Sequence, residues 1–251
     1  MIFYVGLFSL SHPQHFERSF ISVNVLRDRR SPFIANKWIM DSGAFSEISK
    51  YGDYRSSVVD YATEIERWSK NGELEAAVAQ DYMCEPMILR KTGKTVKEHQ
   101  QLTIERYDEL VSLKPTVKII PVLQGYHPFD YVDHLEKYGD RIKLNHYVGV
   151  GSVCKRNTNT RIILSVLQAI KQSRPDIRLH GFGLKRTALS DPGIRHLLHS
   201  SDSMAWSLAA RYAGRDANSW HEAKDFERDI NTRIVKPSAA GAPALWLGTR
   251  R

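Results

Sequence analysis

At 251 residues the chain can hold one large α/β domain or two small ones, and its 42% hydrophobic and 25% charged residues are those of a soluble globule with no apolar run long enough to cross a bilayer. Two cysteines, Cys84 and Cys154, exclude a disulfide framework and a zinc site built from several thiolates, and the start lacks the basic region of a secretory signal, which points to the cytoplasm. A formal charge of +8 favours polyanionic partners without choosing one.

Short apolar runs alternate with amphipathic stretches. "IFYVGLF" (2–8) and "NKWIMDSG" (36–43) predict strands, and "SSVVDYATEIERWSKN" predicts a helix with Ser56 as its N-cap. "EAAVAQD" (75–81) predicts the third strand, and "TVKEHQQLTIERYDELVSL" a helix capped by Thr95. "TVKIIPVLQG" (116–125), the helix "PFDYVDHLEKYG" and "RIKLNHYVGVG" (141–151) follow. "NTRIILSVLQAIKQS" predicts a helix capped by Thr158 or Asn159 and closed before Pro175, and "IRLHGFG" (177–183) and "HSSDSMAW" (199–206) are the last clear strands. Such alternation predicts a parallel sheet with right-handed crossovers. Seven strands before residue 207 fit a TIM-like (β/α)8 barrel over residues 1–235, with an irregular last unit. "ALWLG" (244–248) is a candidate eighth strand, an incomplete barrel is the alternative, and 236–251 reads as a loose tail.

Polar residues recur at the C-terminal ends of these runs: Asp41, Asp81, Gln124, Gly149-Val150-Gly151, His180-Gly181 and Asp202. In a barrel those ends converge on one mouth, where active sites are built. A single Asp after a strand is commonly a helix N-cap, but three acids and an amide in that place point to chemistry. Two carboxylates flanking a glycosidic bond can divide attack and proton transfer. A further Asp with a Gln can read a purine edge, glycines let backbone approach a flat ligand, and Phe45 can cover the ring.

Other features are weaker. Lys155 and Arg156 after the fifth strand, and Lys185 and Arg186 after "GFGL", could touch a nucleic-acid backbone or lie on solvated loops. Cys84 reads as a small buried side chain rather than a nucleophile. "HPQH" (12–15) and "HLLH" (196–199) offer no third ligand, so no metal site is expected, and "KTGKT" (91–95) lacks the leading glycine and strand of a phosphate loop.

The ordered motifs "DSGAF", "QDYMCEP", "VLQG", "VGVGS", "HGFG" and "SDSMAWS" resemble the tRNA-guanine transglycosylase superfamily, most closely its deazapurine DNA modification protein A family, over roughly residues 36 to 210. The resemblance implies roles. Asp202 matches the nucleophile and Asp41 the general acid/base, with Ser42 in the same turn. Phe45 matches the stacking aromatic, Asp81 and Gln124 the pair that reads the purine edge, and Gly149 to Gly151 the turn that offers backbone N–H groups. His180 stands where tRNA enzymes commonly carry a Met on the other face of the base. The zinc cluster and RNA-docking domains of the tRNA enzymes have no counterpart, and "GVG" replaces "GGL". These departures favour DNA over tRNA.

The resemblance thus implies a DNA-guanine transglycosylase. Asp202 attacks C1′ of a flipped-out guanosine, guanine leaves, and a 7-deazaguanine base, the 7-cyano or a related form, takes its place after losing its N9 proton to Asp41. The partners are DNA and the free base, with helper proteins where a duplex must be opened. No redox cofactor, ATP or metal is required. Exchange on RNA or free nucleosides, and an idle barrel that only binds nucleic acid, are the alternatives.

Overall fold

Parallel strands wrapped by helices bury side chains on both faces, and the strand runs here do so almost continuously. The structure, a computed structural model, describes residues 1–156 and 159–235. Among them, nine strands form one sheet: β1 (Ile2–Leu7), β2 (Arg18–Ser22), β3 (Lys37–Asp41), β4 (Glu73–Val78), β5 (Ile119–Ile120), β6 (Val122–Leu123), β7 (Tyr147–Val150), β8 (Arg178–Gly181) and β9 (Ser200–Ser203). All pairings are parallel, in the order β5-β4-β3-β2-β1-β9-β8-β7-β6.

The two ends of that order are halves of one strand divided at Pro121, which has no N–H for the ladder. Its carbonyl still accepts from the Gly149 N–H at 2.8 Å, so the ring closes as an eight-stranded barrel. Pro121 is one irregularity of the barrel, and the β1–β2 and β2–β3 connections, which carry short 3-10 turns in place of α-helices, are another. The missing strand is β2, which pairs with β1 and β3; "ALWLG" and the 236–251 tail lie outside the described residues. With only Phe20 and Ile21 between serines, β2 carries too short an apolar signature to be read from the sequence.

Alternation along the strands divides the core in two. Tyr4, Phe20, Ile39, Ala76, Val78, Ile120, Val122 and Tyr147 pack together inside the barrel. Their neighbours Val5, Ile21, Trp38, Met40, Ala77, Leu123, Val148 and Val150 face outward into the larger core beneath the helices. Those helices are α1 (Ala44–Tyr51), α2 (Val58–Trp68), α3 (Pro86–Thr92), α4 (Val96–Ser112), α5 (Pro128–Tyr138), α6 (Thr160–Ser173), α7 (Arg186–Leu189), α8 (Pro192–Leu197), α9 (Ala205–Tyr212) and α10 (Trp220–Val235).

Helix ends follow local chemistry. Ser57, not Ser56, caps α2, because its side chain and that of Asp60 bond each other's backbone N–H. Thr95 and Glu98 do the same for α4. Asn159 occupies the N-cap of α6 without a side-chain bond, and Thr158 is outside the described residues. "KTGKT" joins two helices: Gly93, at φ 68°, ends α3, Thr95 starts α4, and Lys91 Nζ donates to the carbonyls of Ser49 and Lys50 at the end of α1. Among the described residues no helix is long and apolar enough to cross a membrane.

Candidate active site

The inward parity of the strands decides what reaches the mouth. Two residues beyond Ile39 comes Asp41, two beyond Val122 comes Gln124, and two beyond Ser200 comes Asp202. Asp81 arrives from the loop after β4. Asp41, Asp81, Gln124 and Asp202 line a single cavity of about 290 Å³, with Phe45 at its edge. That volume stands at the lower end of small-ligand sites, roughly 300–1,000 Å³.

Asp202 is buried and held from one side. The Gly183 N–H donates to its Oδ1 at 2.9 Å, and His180 Nε2 lies 3.2 Å from the same oxygen. His180 Nδ1 sits 2.8 Å from Ser200 Oγ and 3.1 Å from Tyr147 OH, and with one of these hydroxyls donating to Nδ1 the ring carries its proton on Nε2, facing the acid. Among the described residues no donor meets Oδ2. Capping does not explain Asp202, because Met204 is the N-cap of α9.

Asp41 ends β3, and the Gly43 N–H donates to its Oδ2 at 3.1 Å, forming a tight turn before α1. Gly43 has φ 76°, and a Cβ there would fall 2.3 Å from the Asn24 side chain, so only glycine fits. Burial, reinforced by the charge of Asp202, raises the Asp41 carboxyl to about 6 against the donors Gly43, Ser22 and Ser42.

Asp81 is pinned through its main chain: its N–H donates to Tyr54 OH at 2.8 Å, and that hydroxyl donates to its carbonyl at 2.9 Å. Gln124 Nε2 donates to Asp81 Oδ2, while Gln124 Oε1 lies 2.6 Å from Ser152 Oγ. The Gln124 backbone is fixed by Gln100 Nε2, 2.9 Å from its carbonyl, and by neutral His134, which burial lowers to about 3 and whose Nδ1 accepts the Gln124 N–H at 2.9 Å. Burial raises Asp81 to about 7, with the charges of Asp41 and Glu85 adding to it and the Gln124 hydrogen bond opposing. Two acids poised near neutrality beside a third form a set suited to proton transfer around a polar planar ligand.

The profile of the family described as DpdA, DeoxyPurine in DNA protein A, matches residues 16–225. The chain belongs to the DpdA family. The matched span takes in β2 to β9 and the start of α10. The family description names a deoxypurine in DNA, which sets this DpdA chain among DNA-modification proteins with a transglycosylase-like barrel. No curated protein matches it.

Several residues expected in the DpdA site stand elsewhere. His180 is fully enclosed behind Asp202 and stacks on Phe20, with centroids 5.3 Å apart and planes at 15°; it does not reach the cavity wall. Phe20 and Phe182, both on that wall, provide the apolar surface instead. The N–H groups of Gly149 and Gly151 are spent in the barrel ladder, on Pro121 O at 2.8 Å and Leu123 O at 2.9 Å. Val150 points into the outer core, and Gly181 packs against Leu184. Gly151 does line the cavity, where a Cβ would come within 2.1 Å of Gln124 Nε2. Ser42 is buried, its hydroxyl 3.5 Å from Asp81 Oδ1.

At the rim, Lys155 Nζ lies 4.5 Å from the centroid of Phe45, which is 46% exposed. Arg156 stacks on Tyr126 and donates to its carbonyl, and Lys185 is exposed at the N-cap of α7. Arg186 turns to α10, where it pairs with Asp229 at 2.7 Å. Both thiols are poor nucleophiles, since burial pushes Cys84 well up and Cys154 to about 11. Missed by sequence reading were Glu85, Ser152, Phe20, Phe182 and Met204, all on the cavity wall. Glu85, Ser152, Phe182 and Met204 sit inside the quoted motifs, whereas Phe20 belongs to the unread strand β2.

Proposed function

We propose that this cavity exchanges guanine in DNA for a 7-deazaguanine base, the 7-cyano or a related form, by double displacement. The observation that carries the reading is the convergence of Asp41, Asp81, Gln124 and Asp202 on one cavity with Phe45 at its edge.

A guanosine leaves the helix, at a cost of a few kcal/mol, and its base slides between Phe45 and the Phe20–Phe182 side. Asp81 accepts from the N1–H and the 2-amino group, and the Gln124 amide donates to the 6-oxo group. Asp202 Oδ2 attacks C1′ while the C1′–N9 bond breaks, and neutral Asp41 delivers a proton to the departing base. The sugar is now esterified to Asp202. The 7-deazaguanine base enters, gives its N9 proton to Asp41 and attacks C1′, which releases the Asp202 carboxylate. Configuration at C1′ is retained and the proton count closes. A carboxyl raised to about 6 can both give and take that proton near neutral pH, as Asp41 must.

Net charge and the exposed cations Lys155 and Lys185 support a polyanionic partner. Incubating the protein with 7-deazaguanine and either guanine-containing single-stranded DNA or RNA of the same sequence, then digesting to nucleosides, tests the proposal. The deazaguanine nucleoside is expected in the DNA arm. Its appearance only in RNA overturns the choice of polymer, and its absence from both overturns base exchange.

A further inference from the structure

Glu85 has no part in the exchange steps, yet it lies on the cavity wall with only 5% of its surface exposed. Helix capping does not account for it: it is the N-cap residue of α3, but its side chain makes no capping bond. Its Oε2 lies 2.9 Å from Ser152 Oγ, and its Oε1 is buried with no hydrogen-bond partner. Ser152 itself has φ 53°, a left-handed conformation that costs a serine roughly 1 kcal/mol. That backbone sets one hydroxyl against three groups: the Cys84 N–H at 2.9 Å, Gln124 Oε1 at 2.6 Å and Glu85 Oε2 at 2.9 Å.

A hydroxyl has one proton and two lone pairs. The Cys84 N–H takes one lone pair, so the single proton can go to Gln124 or to Glu85 but not to both. With one proton between Glu85 and Asp81, two arrangements satisfy every contact. In the first, Ser152 donates to Gln124 Oε1, a proton on Glu85 Oε2 is donated to Ser152, and Gln124 Nε2 donates to ionised Asp81. The second N–H of the Gln124 amide then serves the ligand. In the other, Ser152 donates to ionised Glu85, the Gln124 amide is turned over so that Nε2 donates to Ser152, and protonated Asp81 donates to Oε1. The ligand then meets a carbonyl. For Glu85 and Asp81, only the position of that proton differs between the two.

We propose that Glu85, acting through Ser152, is a positioning residue that fixes the direction of the Gln124 amide and so makes the cavity select a 6-oxo over a 6-amino purine. The inference rests on the purine reading above. It concerns which edge the cavity prefers.

Calorimetric affinities for 7-deazaguanine and 2,6-diamino-7-deazapurine, bases that differ in the group at position 6 and the adjacent ring proton, test it. The unaltered protein should bind the 6-oxo base about tenfold or more tightly than the 6-amino base. E85Q, whose amide can still donate to Ser152, should keep that ratio within about threefold. E85A and S152G should reduce the ratio to about threefold or less; S152G removes the hydroxyl while suiting the left-handed backbone. Equal weakening of both bases in E85A and S152G, with the ratio intact, overturns the inference and leaves the purine reading standing. Loss of the ratio in E85Q also overturns it. Failure of the unaltered protein to bind either base overturns the purine reading, and the inference with it.

Discussion

His180 Nε2 lies 3.2 Å from Asp202 Oδ1, and the ring is wholly enclosed between Phe20 and the floor of the cavity. With the Gly183 N–H on the same oxygen, this aims Oδ2 at the open space and fixes the acid before a substrate arrives. H180F keeps an aromatic ring against Phe20 but removes the donor. Its kcat for exchange of labelled guanine should fall by about ten- to a hundredfold, with a small change in KM. Steady-state rates check this, and an unchanged kcat in a folded H180F protein contradicts the positioning role.

Asp41 at about 6 and Asp81 at about 7 are both raised above the usual carboxylate range by burial. An acid raised on folding is held neutral in the native state while the unfolded chain ionises. Its favourable contribution is complete below the unfolded value near ~3.9 and is lost as pH rises through the native value. Thermal stability should therefore fall between about pH 4 and pH 7 from these two groups, and D81N should flatten part of that fall, by on the order of a few kcal/mol. Activity should instead follow a bell, because the first half-reaction needs neutral Asp41 as the acid and ionised Asp81 as the acceptor, so kcat/KM rises as Asp81 ionises and falls as Asp41 loses its proton, with limbs near pH 6 and 7. Melting curves and kcat/KM across pH check both.

The Gln124 amide lies directly on Gly151, where an added Cβ would stand 2.1 Å from Nε2. G151A should displace that amide and lower kcat/KM by about a hundredfold, while the melting temperature moves by only a few degrees. A G151A protein of full activity would show that Gln124 does not read the base.

Phe45 and Lys155 form a pair at the rim, 4.5 Å from charge to ring centroid. F45A should weaken base binding by about 1–3 kcal/mol, the usual worth of an aromatic–base stack. K155A should weaken DNA binding uniformly across sequences and lower the slope of log affinity against log salt by about 1. Fluorescence titrations at several salt concentrations separate the two effects.

The barrel was legible because its long amphipathic helices and buried runs differ in period, and because polar residues gathered at the ends of the runs. β2 escaped because Phe20 and Ile21 alone, set between serines, give no period to count. Asp41, Gln124 and Asp202 were found as strand-end residues, and the parity of their own strands places them on the cavity wall. His180 shares that parity but sits one layer lower, beside Ser200 and Tyr147, a depth that motif order does not carry. Gly149 fails for the same reason, since its N–H is consumed where β7 meets the Pro121 break. Glu85 and Ser152 come from different loops, 67 positions apart, and their contact exists only in three dimensions.

Double displacement requires Asp202 to become bonded to a deoxyribose of DNA. Acid quenching of the protein with guanine-containing single-stranded DNA, followed by intact-mass and peptide mass spectrometry, tests it directly. The expected result is an adduct of the oligonucleotide less one guanine on the peptide holding Asp202, absent from D202N. An adduct that persists in D202N or maps to another residue, or base exchange by D202N at the unaltered rate, would contradict it.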